Sequence, residues 1–418
     1  MPDRDSPPRD SAPGGDRGFS TRAIQAAHRV PRVDQPPTSV PIYQAVTFTS
    51  EDAAELGDVL TGARPGYAYS RVDNPTVAAL AAAVADLEGA DAGVALASGM
   101  AAIHAAIVSL VSAGDRIVAT KASYGTSRAL FDGALRRLGI TTDYIDVTNL
   151  DAVDAALAGG PARVLYAETI ANPTIVVADH RRLAEIAHRH DARYVVDNTF
   201  ASPYLCRPIE LGADLVVESA TKYLSGHSDV LAGTVVGSDE LIAAVRSLLV
   251  DTGAALAPHS AFLVLRGIAT LAIRMERHSA TAAALGSWLE RQPGVSRVYH
   301  PALDSHPQAV VASRQLALGG GMLAFELDGG RRAGAAFIDA VTIPALTASL
   351  GSVFTMVVHP PSTTHRQLDD AALTEAGITA GLLRASVGLE DLEDLKADFG
   401  TGLEAARRTV SEAAAATV

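Results

Sequence analysis

From about residue 66 to residue 258, short apolar runs alternate with longer stretches rich in alanine and leucine. The runs Gly93–Ala97, Arg116–Ala119, Thr142–Ile145, Val164–Ala167, Tyr194–Val196, Leu215–Val217 and Thr234–Val236 are brief and apolar, which predicts strands. Between them Met100–Val111, Ser127–Arg137 and His180–Arg189 carry helical patterns. Strands and helices in alternation predict an α/β fold with a mainly parallel sheet covered by helices. The uncharged stretch Ala92–Gly114 is long enough to raise a membrane span, but Ser98 and Gly99 interrupt it and His104 lies inside it. It reads better as a buried strand followed by a buried helix. Beyond Pro258 long helical patterns dominate, then shorter apolar runs such as Met322–Glu326 follow, predicting a second, smaller α+β domain. The residues before the sheet differ in kind. The first 19, rich in Pro, Asp, Arg and Gly, lack the apolar run of a secretory signal and read as a disordered tail. Ser20 to Pro65 holds Pro31, Pro36, Pro37 and Pro41 without a sustained pattern and reads as an extended arm. The expected organisation is thus tail and arm over 1–65, an α/β domain over 66–260, and a C-terminal α+β domain over 261–418.

Composition narrows the class. At ~150 residues per domain, 418 residues allow two or three domains. The 34 basic and 47 acidic residues give a net charge of −13, which argues against nucleic acid or an anionic membrane as a partner. The single cysteine, Cys206, cannot form an internal disulfide and points to a reducing, cytoplasmic setting, most simply as a buried structural thiol. Neither a GxGxxG after a strand nor a GxxxxGK[ST] occurs, so the common nucleotide signals are absent. His180, His188 and His190 crowd one helical stretch without a metal-ligand spacing and read as a solvated helix face; no metal is expected.

The chemistry is sought where polar residues close apolar runs, because ligands of open α/β sheets bind beyond the carboxyl ends of the strands. Ser98, Glu168, Asp197 and Ser219 stand at such positions. A carboxylate directly ending a buried strand requires compensation, so Asp197 calls for a cationic partner. Lys222 follows in S-A-T-K-Y-L-S-G-H, framed by hydroxyls and glycines rather than acids. An amine, an anion at a neighbouring strand end and adjacent hydroxyl donors are what pyridoxal phosphate requires. Ser98-Gly99-Met100, where a strand turns into a helix, offers backbone N–H groups for a phosphate. On pattern alone, a satisfied surface or interface lysine remains the other reading of Lys222.

The segments V-V-D-N-T-F (195–200) and S-A-T-K-Y-L-S-G-H-S-D-V-L-A-G (219–233) resemble the Cys/Met-metabolism family of fold-type I pyridoxal-phosphate enzymes. Y-S-R-V-D-N-P-T (69–76), A-S-G-M-A-A-I (97–103), S-Y-G-T (123–126), N-P-T (172–174), R-G-I-A-T-L (266–271), S-L-G (349–351) and L-R-A-S-V-G-L-E-D (383–391) follow in the family's order, so the resemblance covers about residues 38 to 400. It implies that Lys222 forms the Schiff base and shuttles protons, that Asp197 pairs with the pyridine nitrogen, and that Tyr124 stacks on the ring and shares the proton transfers. It further implies that Gly99, Met100, Ser219 and Thr221 hold the phosphate, joined by Tyr69 and Arg71 of a neighbouring subunit. Arg384 would clamp the substrate α-carboxylate, assisted by Ser349 and Asn172. A homo-oligomer, a dimer of active-site dimers, is implied as well.

Within the family T-G-A-A-L-A-P-H-S-A (252–261) and L-R-G-I-A-T-L-A-I-R-M-E-R-H (265–278) look most like methionine γ-lyases. Ala129 stands where cystathionine γ-synthases and γ-lyases commonly have an arginine, which disfavours a dicarboxylic substrate. Thr126 replaces the cysteine usual in methionine γ-lyases, and Leu249-Val250 replace a Lys-Asp pair. Phe354 replaces a glutamate or small polar residue. The implied activity is a C–S lyase acting on a sulfur amino acid, giving 2-oxobutanoate, ammonia and a thiol. The alternatives are γ-replacement on O-acetyl- or O-succinylhomoserine, as in cystathionine γ-synthase or homoserine sulfhydrylase, or cystathionine γ-lyase activity. A non-catalytic protein retaining the fold is the reading from another class; intact Lys222, Asp197, Tyr124 and Arg384 argue against it.

Overall fold

The computed structural model describes residues 17–27, 37–363, 373 and 377–415, so residues 1–16 of the expected tail lie outside the described residues. All seven apolar runs form strands: β1 (Ala92–Leu96), β2 (Arg116–Thr120), β3 (Thr141–Ile145), β4 (Val164–Glu168), β5 (Arg193–Asp197), β6 (Leu215–Glu218) and β7 (Gly233–Gly237). They make one sheet in the order β1-β7-β6-β5-β4-β2-β3. Strands β3, β2, β4, β5 and β6 run parallel, and β7 pairs antiparallel with both β6 and β1. Alternate side chains enter separate cores: Leu165 packs on one face of β4 while Val164 and Tyr166 pack on the other. Burial on both faces is why these strands read as solid apolar runs instead of alternating ones.

Helices cover the two faces. They are α1 (Phe19–Ala27), α2 (Ala53–Thr61), α3 (Pro75–Glu88), α4 (Gly99–Val108), α5 (Gly125–Ala129), α6 (Leu150–Ala158), α7 (His180–Arg189), α8 (Ser202–Leu205), α9 (Asp239–Thr252), α10 (Pro258–Ile268) and α11 (Leu271–Leu289). Residues of α1, α3, α6, α7 and α10 fill one core, and those of α4 and α9 fill the other. A smaller sheet follows, ordered β10-β11-β12-β9-β8. Its strands are β8 (Val295–Tyr299), β9 (Met322–Leu327), β10 (Ala345–Leu346), β11 (Met356–Val358) and β12 (Leu382–Ser386). With it come α12 (Ala309–Gln315), α13 (Gly330–Ala340) and a C-terminal helix, Leu392–Ala415. Phe325, Phe337 and Phe399 form its aromatic centre, with ring centroids 5.3 Å apart for Phe325–Phe337 and Phe337–Phe399.

Two sequence expectations are corrected. The arm is not wholly extended: α1 buries Ala23 and Ala26 against α3, α10 and α11, and α2 is held by its ends, Asp52 accepting from Glu55 N and Gly62 closing it in the left-handed region. A nine-residue helix spans too few turns to show periodicity, and α1 takes its stability from partners far along the chain. The Ser127–Arg137 stretch is helical as expected, α5 running into a π-helical turn, Leu130–Leu135, which carries the buried Phe131 and Leu135. His180 does not face solvent. It is fully buried, with Nδ1 2.8 Å from Tyr194 Oη and Nε2 3.0 Å from Thr169 Oγ1, and burial pushes its pKa down to about 3. His188 and His190 do lie towards solvent, meeting the largely covered Asp214 and the exposed Asp154 carboxylates.

Packing is continuous through residue 260, since Ala261, Val264 and Leu265 of α10 share the large core with Leu271 and Met275 of α11. Among the described residues no helix is long and apolar enough to cross a membrane.

Candidate active site

The carboxyl ends of β4, β5 and β6 open onto a cavity of about 550 Å³ between the two sheets. At one end α4 begins. Ser98 caps it by accepting from Ala101 N at 3.1 Å, leaving the first backbone N–H groups of Gly99 and Met100 at the cavity wall. A Cβ at Gly99 would stand 2.6 Å from Ser219 Cβ, so only glycine lets the helix start approach the β6 end this closely. Ser219 N donates to Thr199 Oγ1 at 2.8 Å, and the Thr221 hydroxyl is tied to the Ala232 backbone. Ser219, Thr221, Gly99 and Met100 all line this end, and the helix start offers an anion site.

Acids form the floor. Asp197 Oδ1 accepts from Thr199 N at 3.0 Å, Tyr166 Oη lies 3.5 Å from Oδ2, and burial holds the carboxyl above its usual range. No cation of the described residues bonds to it, so the partner that its position called for must come from a ligand. Glu168, at the end of β4, accepts from Tyr124 N at 2.5 Å and Asn172 N at 3.2 Å. Burial and the neighbouring Asp197 push its pKa well up. Glu168 thereby fixes two residues of the cavity wall. The sequence marked it as a strand-end acid, but nothing in the pattern tells which backbone N–H groups it reaches.

Two cations face these acids. Lys222 Nζ donates to Ser349 Oγ at 3.0 Å, and burial, aided by the Arg384 charge, lowers its pKa to about 8. Arg384, on β12 and 4% exposed, donates from Nη1 to Asn172 Oδ1 at 2.8 Å and from Nη2 to the Ser349 carbonyl at 2.9 Å. Among the described residues its buried Nε has no partner, and no carboxylate bonds to the guanidinium. Residues 172, 349 and 384, far apart in the chain, are therefore joined in one network beside Lys222. The Tyr124 ring is 43% exposed and lines the same cavity.

The fold does not bring every expected residue together within one chain. Tyr69 and Arg71 lie away from this cavity; the Arg71 guanidinium sits 5.6 Å from the Tyr69 ring centroid and donates to the Val250 carbonyl. Thr126 and Ala129 line the cavity, as do Leu231 and Leu350. Leu249 packs in the core filled by α4 and α9, and Phe354 is exposed away from the cavity wall.

A buried amine of lowered pKa, a buried acid lacking a cation and a helix start closed by glycine fit pyridoxal phosphate without further groups. Residues 20–404 match the family described as Cys/Met metabolism PLP-dependent enzyme. The chain belongs to this family. It is 44% identical over 391 residues to L-methionine gamma-lyase of Pseudomonas putida, covering 93% of this chain and 98% of that one. It is 41% identical over 387 residues to O-succinylhomoserine sulfhydrylase of Pseudomonas aeruginosa, covering 93% and 95%. The crystal structure of cystathionine gamma synthase from Xanthomonas oryzae pv. oryzae in complex with cystathionine superposes with a TM-score of 0.89 at 36% identity, covering 94% of this chain and 99% of that one. The chain is thus a fold-type I, pyridoxal-phosphate-dependent enzyme of the group that contains C–S lyases and γ-replacement enzymes.

Proposed function

We propose that this member of the family is a lyase of the methionine γ-lyase type, releasing a thiol from Cγ of a sulfur amino acid and yielding 2-oxobutanoate and ammonia. The charge distribution of the cavity carries the reading. Lys222 and Arg384 are the cations among its lining residues, and both are committed to the amino-acid end. The part of the wall formed by Ile103, Ala129, Leu231 and Leu350 is apolar and suits a thioether better than a second carboxylate. This favours methionine over cystathionine or O-succinylhomoserine. Replacement on the smaller O-acetylhomoserine is the second reading, favoured by Thr126 at the wall.

When bound, pyridoxal phosphate withdraws electrons from the substrate's α-carbon and so lowers the barrier to loss of its proton. Gly99, Met100, Ser219 and Thr221 would hold the phosphate, Asp197 the protonated pyridine nitrogen, Tyr124 the ring face and Lys222 the aldehyde carbon. Arg384, which lines the cavity, would receive the substrate carboxylate, while Asn172 and Ser349 keep the guanidinium plane fixed. Lys222 Nζ, lowered to about 8, is neutral often enough near physiological pH to accept the α-proton and return it further along the substrate. The Tyr124 hydroxyl shares these transfers, and Ser349 Oγ orients the amine between them.

Tyr69 and Arg71 we assign to the phosphate site of a neighbouring subunit, which makes the active unit a dimer and, by pairing of dimers, a tetramer. Their exposure and their distance from the cavity of their own chain support this. Residues 66–260 we read as the cofactor domain and 261–418 as the domain that supplies Ser349 and Arg384, with 1–65 bridging subunits. The buried single Cys206 suits a cytoplasmic enzyme. The test is 2-oxobutanoate formation from L-methionine, beside O-acetyl- and O-succinylhomoserine with and without cysteine. Keto acid from methionine alone establishes the lyase; product only from an acylhomoserine plus thiol establishes replacement.

A further inference from the structure

Behind the cavity floor two acidic side chains meet without a counter-charge. Glu88 ends α3 and Glu218 ends β6, at 0% and 2% exposure, with their carboxyl groups in hydrogen-bonding reach of each other. Glu88 Oε1 accepts from Asn198 Nδ2 at 2.7 Å, but Glu88 Oε2 and both Glu218 oxygens find no donor among the described residues. The other groups facing the pair are Arg207, Cys206 and Glu210 from the turn after α8, and Asp197 from β5. Arg207 is the cation among them, and Glu210 neutralises it at 3.0 Å. Two ionised carboxylates in such a place would repel each other while losing their water. One proton between them turns the clash into a short O–H···O⁻ hydrogen bond.

The pair is also wired to the cofactor site. Asn198 donates from Nδ2 to the Cys206 carbonyl at 2.9 Å, accepts on Oδ1 from Thr169 Oγ1 at 2.7 Å, and donates its backbone N–H to Val217 O at 2.9 Å. Asn198 is the residue after Asp197, and Ser219 the residue after Glu218. We propose that Glu88 and Glu218 share a single proton and thereby clamp the ends of β5 and β6 to α3, serving as positioning residues for Asp197 and Ser219. The assignment rests on Asp197 and Ser219 belonging to the cofactor site, not on which sulfur compound is cleaved.

Burial disfavours a second charge here: it pushes Glu88 up from 4.5 to about 8 and holds Glu218 well above its usual range, with the Glu88 and Asp197 carboxyls adding to the effect on Glu218. An acid whose folded pKa exceeds its unfolded one binds more protons when folded. Its contribution to stability is therefore complete below pH 4.5 and is lost as pH rises toward about 8.

Wild type, Glu218→Gln, Glu88→Gln and Glu88→Ala are compared, each as apoprotein and holoenzyme. In the infrared, the wild-type minus Glu218→Gln difference spectrum at neutral pH is expected to show a carboxylic-acid C=O band, the contribution of Glu168 cancelling between the two. The melting temperature of wild type should fall from about pH 5 to about pH 8, and the slope should flatten in both glutamine variants, whose amide N–H replaces the shared proton. Pyridoxal phosphate should bind about tenfold more weakly to Glu88→Ala, which orphans Asn198 Nδ2, and regain affinity in Glu88→Gln. An unchanged band and slope in both glutamine variants overturns the shared proton. Wild-type affinity in Glu88→Ala overturns the positioning role. Failure of Glu218→Gln to fold also overturns the proposal, because the amide preserves the proposed hydrogen bond.

Discussion

Two arginines, each 4% exposed and each lowered by burial to about 10, stand on opposite sides of the Lys222 loop and do different things. Arg274, on α11 behind the loop, donates to the carbonyls of Tyr223 at 2.7 Å and Gly267 at 2.8 Å, and its Nε bonds to Thr270 Oγ1 at 3.1 Å. Its donors are all spent, on backbone carbonyls and one hydroxyl. Arg384, in front of the loop, makes one bond to a side chain and one to a backbone carbonyl, and its buried Nε has no partner among the described residues. A buried guanidinium whose donors are filled is a structural element; one with a donor to spare and no anion beside it is built to receive a ligand. The comparison separates holding the site from using it, at equal burial and equal charge.

The largest change is expected where the two arginines converge. Lys222→Ala should lower turnover by about 10⁴-fold and abolish the absorption of the lysine-bound cofactor; residual turnover near wild type would remove the central residue of the mechanism. Next comes Arg384→Lys, which keeps the charge but loses the planar pair of donors. A fall in kcat/KM of about 10²-fold, carried mainly by KM and with little change in melting temperature, would confirm that Arg384 serves the substrate. Arg274→Met should do the reverse, lowering stability by about 3 kcal/mol through the orphaned carbonyls while moving KM far less than Arg384→Lys does. Denaturant unfolding beside steady-state kinetics measures both. If the two variants gave the same profile, the distinction would be lost.

The smallest expected effect is a pH dependence. The Lys222 pKa lowered from 10.5 to about 8 means that the apoprotein amine becomes neutral, and hence nucleophilic, as pH rises through about 8. The rate at which the apoprotein takes up pyridoxal phosphate covalently should climb over that interval and level off above it. Stopped-flow absorbance resolves this, and a midpoint near 10 would show that Lys222 is not desolvated.

Much of the fold was legible because two-sided burial of a parallel sheet leaves solid apolar runs, as at Val164–Ala167 and Leu215–Val217. The helix α1 was not, because its burial depends on α3, α10 and α11, which no local pattern shows. His180 was misread for the same reason: its neighbours in sequence are Arg and Glu, but its ring turns inward to Tyr194 and Thr169. In the site Lys222, Asp197 and the Ser98-Gly99 turn carried local signals of their own, being an unpaired amine, a strand-end acid and a strand-to-helix turn. Glu168 carried only its position, since its role lies in the backbone N–H groups of Tyr124 and Asn172.

By itself the sequence determined the order of strands and helices, the polar residues at the strand ends and, through its motifs, the family and its cofactor. Those depend on local pattern and on residue type, which the chain carries wherever it is folded. Only the tertiary structure decided that Asn172, Ser349 and Arg384 form one network beside Lys222, that one buried arginine keeps a free donor while another does not, and that Glu88 meets Glu218. These are meetings of residues from separate elements. Burial and the absence of a counter-charge are properties of the assembled interior, where solvent is excluded and each polar atom must find its partner within the protein or in a ligand.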